Sequence, residues 1–145
     1  MSSEDKLKRA SIFKKMALRD KLEASRKRQS LNVLREELSK NQDMRNQLEN
    51  LVKEATYPVD AQTAMALYSA SWYSTRVRDQ LEMVANRCTH LDKEVQTMQT
   101  DLARAEQKRA RKQERADELT SQAKKTAQDK ADERLAELRR RSSKH

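Results

Sequence analysis

The sequence contains no glycine in 145 residues and a single proline, Pro58. Glycine supplies many tight turns, and proline breaks helices because its ring removes a backbone N–H donor. A chain with one such residue is expected to be helical almost throughout, with one interruption. We therefore predict an all-α fold: a single long antiparallel two-helix coiled-coil hairpin over 1–145. Its helices are predicted at about 4–56 and 60–140, with the bend at about 56–60, near Pro58.

The composition supports a coiled coil rather than a globular enzyme. Charged residues make up 38% of the chain, aromatic residues only 3%, and the mean hydropathy is −1.14. This is too little apolar material for a sizeable core, and charged, helix-forming residues with helical periodicity are typical of coiled coils.

Without glycine there is no phosphate-binding loop. His90 and Cys88 would point about 200° apart on a helix, so no metal site is predicted. We expect no enzyme activity, no cofactor and no small-molecule substrate.

The first predicted helix carries an apolar stripe that sharpens along its length. Its early part is broad and consists of Leu7, Ala10, Phe13, Ala17 and Ala24, with Ile12, Met16, Leu18 and Leu22 alongside. From residue 31 onwards, spacings of three and four keep the stripe on one face. This later part consists of Leu31, Leu34, Leu38, Asn41, Met44, Leu48 and either Leu51 or Val52. We call the apolar stripe that each helix is predicted to turn toward the other helix the seam. Asn41 is a polar residue in it, and it either sets the register between the helices or is solvated at the edge of the seam.

The second predicted helix has the more regular seam. Its apolar positions follow three/four spacing over more than four heptads, namely Tyr73, Val77, Leu81, Val84, Cys88, Leu91, Val95, Met98, Leu102 and Ala105. Arg109 and Lys112 then interrupt it, and it resumes as Ala116, Leu119, Ala123, Ala127, Ala131, Leu135 and Leu138. At about 1.5 Å per residue, this helix should extend beyond the first by up to about 45 Å. We expect its C-terminal part to be helical but weakly packed.

The net charge of +9 is concentrated in two segments. Residues 1–29 hold ten Lys/Arg against four Asp/Glu, and residues 104–145 hold fourteen against eight. In a hairpin these segments share one pole, which favours acidic partners or phosphate surfaces. Acidic residues interrupt the basic tracts and no aromatic residues interleave with them, so nucleic acid is not the expected partner.

The single cysteine and the absence of a long apolar run or an apolar leader predict a cytoplasmic protein.

Tyr68, Trp72 and Tyr73 hold three of the five aromatic side chains. Two interpretations remain open for this cluster. It either packs inside the hairpin beside the bend, or it forms a partner-binding patch flanked by Arg76 and Arg78. Both are compatible with one helix, because different faces can serve different roles.

The second predicted helix also resembles a known family. The stretches YSASWYSTRVRDQLEMV, DLARAEQKRARKQERADELTSQA and KADERLAELRRR are similar to those of the FliJ family of flagellar export proteins and their injectisome counterparts. The resemblance covers essentially the whole chain. It implies an antiparallel coiled coil similar to the central stalk of rotary ATP synthases. It also implies a non-enzymatic stalk or adaptor of flagellar type III export, located in the cytoplasm and peripherally associated with the inner membrane.

The resemblance further implies partners and the residues that meet them. The partners would be a hexameric export ATPase, the cytoplasmic domain of the membrane export gate, and export chaperones. By position, the gate contact falls on Trp72, Tyr73, Val77, Gln80 and Val84. The resemblance and the charge distribution together suggest a contact between the ATPase ring and the basic pole, by which we mean the end of the hairpin formed by residues 1–29 and 104–145. The residues that would hold this pole in the ring are Arg109, Arg111, Lys112 and Arg115. The alternatives are a generic coiled-coil scaffold and a basic, helical nucleic-acid-binding protein.

Overall fold

The computed structural model describes residues 2–54 and 63–144. These residues form two helices, α1 (Ser3–Glu54) and α2 (Ala64–Ser143), and contain no strand. The helices pack against each other in antiparallel orientation, which confirms the predicted all-α helical hairpin. The predicted bend at Pro58 and the predicted start of the second helix near residue 60 lie outside the described residues.

A hydroxyl side chain caps the start of each helix. Ser2 Oγ accepts a hydrogen bond from the Asp5 N–H at 3.2 Å. Thr63 Oγ1 accepts one from the Ala66 N–H at 3.1 Å. Such caps satisfy backbone donors that lack a partner within the helix. Glu4 and Asp5 in the first turn of α1 also interact favourably with the positive end of its dipole.

The packing divides into two compact units, to which both helices contribute. In the unit Lys27–Asp101, the buried side chains are mainly branched or long: Leu31, Val77, Val84, Cys88, Leu91 and Val95. At its edge, Arg87 Nη2 lies 3.7 Å from Glu37 Oε2. The buried positions of α2 in this unit lie three, four or seven residues apart, so a single face of the helix provides this core. Cys88 is buried here as a core residue.

The other unit comprises Met1–Arg26 and Leu102–His145, and alanine dominates its core. Its buried residues are Ala10, Ala17, Ala24, Ala105, Ala116, Leu119, Ala123 and one charged residue, Asp20. Ser3 Oγ donates a hydrogen bond to the Ala123 carbonyl oxygen at 3.2 Å. A short serine side chain can reach the backbone of another helix only where the two helices approach closely. The small alanine side chains make that approach possible.

Leu7, Met44 and Tyr73 were predicted for the seam but are 48%, 49% and 48% exposed. The last four predicted seam residues of α2 are also exposed, namely Ala127, Ala131, Leu135 and Leu138. Of the two alternatives Leu51 and Val52, Val52 is the less exposed and takes the seam position, as Arg45 and Ser74 do beside Met44 and Tyr73. The reason is the position of each residue within a seven-residue repeat. The buried residues Ala10, Ala17, Ala24 and Leu31 recur at intervals of seven. Such a strict heptad fixes which residues face the partner helix.

The C-terminal part of α2 has no partner helix among the described residues. Every residue from 127 to 144 is exposed, whereas Ser3, the first residue of α1, bonds to Ala123. The residues beyond Ala123 add about 30 Å to α2 at about 1.5 Å per residue. This confirms the expected helical, weakly packed end. Neither α1 nor α2 contains a stretch that is long and apolar enough to cross a membrane.

The packing predicts a clear difference between buried and exposed apolar residues of α2. Leu91, which is 2% exposed, should not tolerate Leu91→Asp, because an unpaired charge would be buried. We expect a loss of about 3 kcal/mol or more in the free energy of unfolding, measured by urea denaturation followed by circular dichroism. Met83→Asp is the matched control, since Met83 is 66% exposed. Equal stability of the two variants would contradict the assigned seam.

Candidate functional site

An exposed stripe runs along the outer face of α2, beginning at its first turn. We call it the outer stripe and define it by six residues spaced three or four apart: Met65, Tyr68, Trp72, Arg76, Asp79 and Met83. At 100° per residue, the stripe lies about 150° around the helix from the buried seam. Its four large apolar side chains are 59–77% exposed. The stripe therefore combines the spacing of one helix face with a large exposed apolar area.

Trp72 and Arg76 form a cation–π pair within this stripe. The guanidinium carbon of Arg76 lies 5.9 Å from the centroid of the Trp72 ring. The contact is one helical turn long and stabilises a preferred orientation of the indole ring. An aromatic residue beside an arginine is the composition found at the energetic centre of many protein interfaces.

The five residues assigned to the gate contact divide between two faces. Trp72, Tyr73 and Gln80 are exposed. Val77 and Val84 are 7% and 9% exposed and belong to the seam. A partner on the surface of the hairpin could contact the first three residues without disturbing the packing. Contact with the two valines would require the helices to separate.

The exposure of Tyr68, Trp72 and Tyr73 also distinguishes the two interpretations of the aromatic cluster. These side chains are 72%, 59% and 48% exposed, so they do not pack inside the hairpin. Sequence reasoning missed Met65 and Met83, which belong to the same stripe. Counting in steps of three and four in both directions from Trp72 would have found them, because those steps keep residues on one face.

A charged layer interrupts the alanine core where α1 faces the middle of α2. Lys112 Nζ lies 2.6 Å from Asp20 Oδ2, and the two side chains are 27% and 9% exposed. Arg109 occupies the preceding seam position and is half-buried. The interruption at Arg109 and Lys112 seen in the sequence is thus a paired polar layer.

The four residues assigned to the ATPase ring therefore differ in their surroundings. Lys112 is largely enclosed with Asp20, and Arg109 is half-buried. Arg111 is exposed. Arg115 is also exposed, and its Nη1 donates a hydrogen bond to Glu118 Oε2 at 3.1 Å. Arg111 and Arg115 present the more accessible positive charge.

Other candidate groups in the described residues have local roles. Asn41 is half-buried, and its Nδ2 donates a hydrogen bond to the Glu37 carbonyl oxygen at 2.8 Å, within its own helix. His90 Nε2 lies 2.8 Å from Glu94 Oε1, one turn further along α2. No group of histidine, cysteine and carboxylate side chains suited to holding a metal ion occurs in residues 2–54 and 63–144.

Comparison of the chain with family models, curated proteins and solved structures gives no match.

The Asp20–Lys112 pair generates a prediction for stability. Asp20→Ala would leave the Lys112 ammonium largely enclosed without its partner, and we expect this to lower the free energy of unfolding by about 2 kcal/mol. Replacing both residues by leucine should restore or raise the stability, because the burial of charge disappears. Urea denaturation of the three proteins measures both effects. A double variant less stable than the single one would contradict this account.

Proposed function

We propose that the chain is a non-enzymatic coiled-coil stalk and adaptor of the flagellar type III export apparatus. In this role it couples the hexameric export ATPase to the cytoplasmic domain of the export gate and to export chaperones, at the cytoplasmic face of the inner membrane. The proposal starts from the resemblance of α2 to the FliJ family. The structural observation that supports it best is the outer stripe, because a large exposed apolar stripe calls for a protein partner.

The outer stripe is the better candidate for the gate contact than the seam. Trp72 offers a large, exposed indole, and Tyr73 and Gln80 lie beside it on α2. Binding there leaves the packing of Val77 and Val84 intact. In this proposal, the two valines support the contact indirectly by holding α2 against α1, while Trp72 makes the direct contact.

The ATPase contact is assigned to the accessible cations of α2. Arg111 and Arg115 are exposed, and the Arg115–Glu118 pair spans less than one turn and is solvated, so it is worth little energy. Positive charge in this part of α2 suits an acidic lumen of an ATPase ring. Lys112 contributes to the same charge, although its ammonium is already paired with Asp20.

The gate contact can be tested by isothermal titration calorimetry with the purified cytoplasmic domain of the export gate. We expect Trp72→Ala to weaken binding by about 10-fold or more, because buried aromatic anchors carry much of an interface's energy. Val33→Ala is the matched control, since Val33 is a comparably exposed apolar residue on α1. An equal effect of both variants, or no binding by the unmodified chain, would count against the proposed gate contact.

The ATPase contact can be tested by stimulation of ATP hydrolysis by the purified export ATPase. The double variant Arg111→Glu/Arg115→Glu should reduce the stimulation several-fold at low salt, where exposed charges act most strongly. Lys40→Glu/Lys93→Glu changes the net charge equally on residues of the other unit and should retain the stimulation. Helicity is checked by circular dichroism. Unchanged stimulation by the Arg111/Arg115 variant at low salt would overturn this assignment.

A further inference from the structure

The N-terminal part of α1 carries no residue that the export proposal assigns to a partner. Between Lys6 and Leu22 the sequence holds seven Lys or Arg residues and a single carboxylate, Asp20. Asp20 is only 7% exposed and is paired with Lys112. The charge that this part of α1 presents to solvent is therefore entirely positive.

The same stretch exposes five large apolar side chains: Leu7, Ile12, Met16, Leu18 and Leu22. Leu18 and Leu22 are 58% and 57% exposed. At 100° per residue, Leu7, Leu18 and Leu22 share an arc of about 100° with Lys14 and Lys21. Leucines and lysines thus alternate on one exposed surface of α1.

This surface borders a groove between the two helices. The groove has a volume of about 450 Å³ and is lined by Lys14, Ala17, Leu18 and Lys21 of α1 and by Arg109 and Gln113 of α2. We call it the Lys14–Lys21 groove. No carboxylate of the described residues forms an ion pair with Lys14 or Lys21. The groove combines an apolar floor with cations on both sides.

We infer that the Lys14–Lys21 groove is a docking site for an acidic amphipathic helix of another protein. The bound helix would place apolar side chains on Leu18 and carboxylates opposite Lys14, Lys21 and Arg109. Lys14 and Lys21 are seven residues apart, which corresponds to about 10.5 Å along α1. Two glutamates seven residues apart on the bound helix reproduce this distance, and a leucine between them can reach Leu18. This inference does not depend on the export role.

The arrangement of the surface favours this occupant over a lipid membrane. A helix that lies in a membrane interface separates its apolar face from its charged face. On α1, Lys14 and Lys21 lie within the same arc as Leu18, and Ile12 lies about 120° away from Leu18. An acidic helix can match alternating leucines and lysines residue by residue.

The surface also argues against a second copy of the chain. A symmetric dimer places the same patch of each protomer in contact with itself. Such pairing would bring Lys14 and Lys21 of one copy against the same cations of the other, which is unfavourable. A partner of opposite charge removes this repulsion.

The test uses the full chain and a labelled synthetic peptide at low concentration. The peptide is helical, about 20 residues long, with leucines along one face and glutamates seven residues apart on either side. Fluorescence anisotropy should show binding that weakens as salt increases. We expect Leu18→Ser to weaken binding by about 10-fold, and Lys14→Glu/Lys21→Glu to weaken it further at low salt. Leu18, Lys14 and Lys21 are exposed, so circular dichroism should show unchanged helicity for both variants.

Two controls and two further measurements decide between the possible occupants. Ile12→Ser removes an equally exposed residue from another face of α1 and should leave binding within about twofold. A peptide with the same composition in scrambled order should bind weakly. Equal losses for Ile12→Ser and Leu18→Ser, or equal binding of both peptides, would overturn the inference. Preferential binding to phosphatidylserine vesicles, or a dimer in sedimentation equilibrium that Leu18→Ser dissociates, would assign the groove to a lipid or to a second copy instead.

Discussion

The seven-residue period of the contact between α1 and α2 is the constraint on which the structure depends. Ala10, Ala17, Ala24 and Leu31 are buried at intervals of seven, and Val77, Val84 and Leu91 follow the same interval on α2. Once the period is fixed, a residue's position in the heptad decides whether it is buried. Apolar residues at other positions remain on the surface however hydrophobic they are. The exposed surfaces of Trp72 and Leu18 are direct consequences of this constraint.

The two packing units meet the same constraint with different side chains. Leucine and valine fill the core of Lys27–Asp101, where burial of each large side chain stabilises the fold by about 1.5–3 kcal/mol. In the other unit, each alanine buries less apolar area. Asp20 and Lys112 occupy seam positions there, and removing their charges from water costs free energy. A single ion pair between helices is satisfied in only one alignment. We therefore expect Asp20 and Lys112 to determine register in that unit more than they contribute to stability.

The sequence predicted the helices and much of the seam because both depend on local signals. The absence of glycine predicted continuous helices, and regular spacing predicted the burial of Val77, Cys88 and Leu91. Prediction from the sequence was less successful at positions where an apolar residue does not occupy a buried position of the heptad. Tyr73 was placed in the seam because it is large and apolar, yet Ser74 has the required phase. The groove beside Leu18 was also missed, because it needs side chains from α2 as well as α1.

The two proposed contacts, at the outer stripe and at the Lys14–Lys21 groove, would depend on different physical interactions. In the outer stripe, Arg76 is close in sequence to Asp79, so the local charge is nearly balanced and the apolar area of Trp72 dominates. In the groove, Lys14 and Lys21 form no ion pair with another described residue, so the inferred partner would gain from charge as well as from contact with Leu18. Salt should weaken a contact at the Lys14–Lys21 groove far more than one at the outer stripe, because screening acts on exposed charge and not on apolar burial. The affinities of the two proposed partners would therefore respond differently to ionic strength.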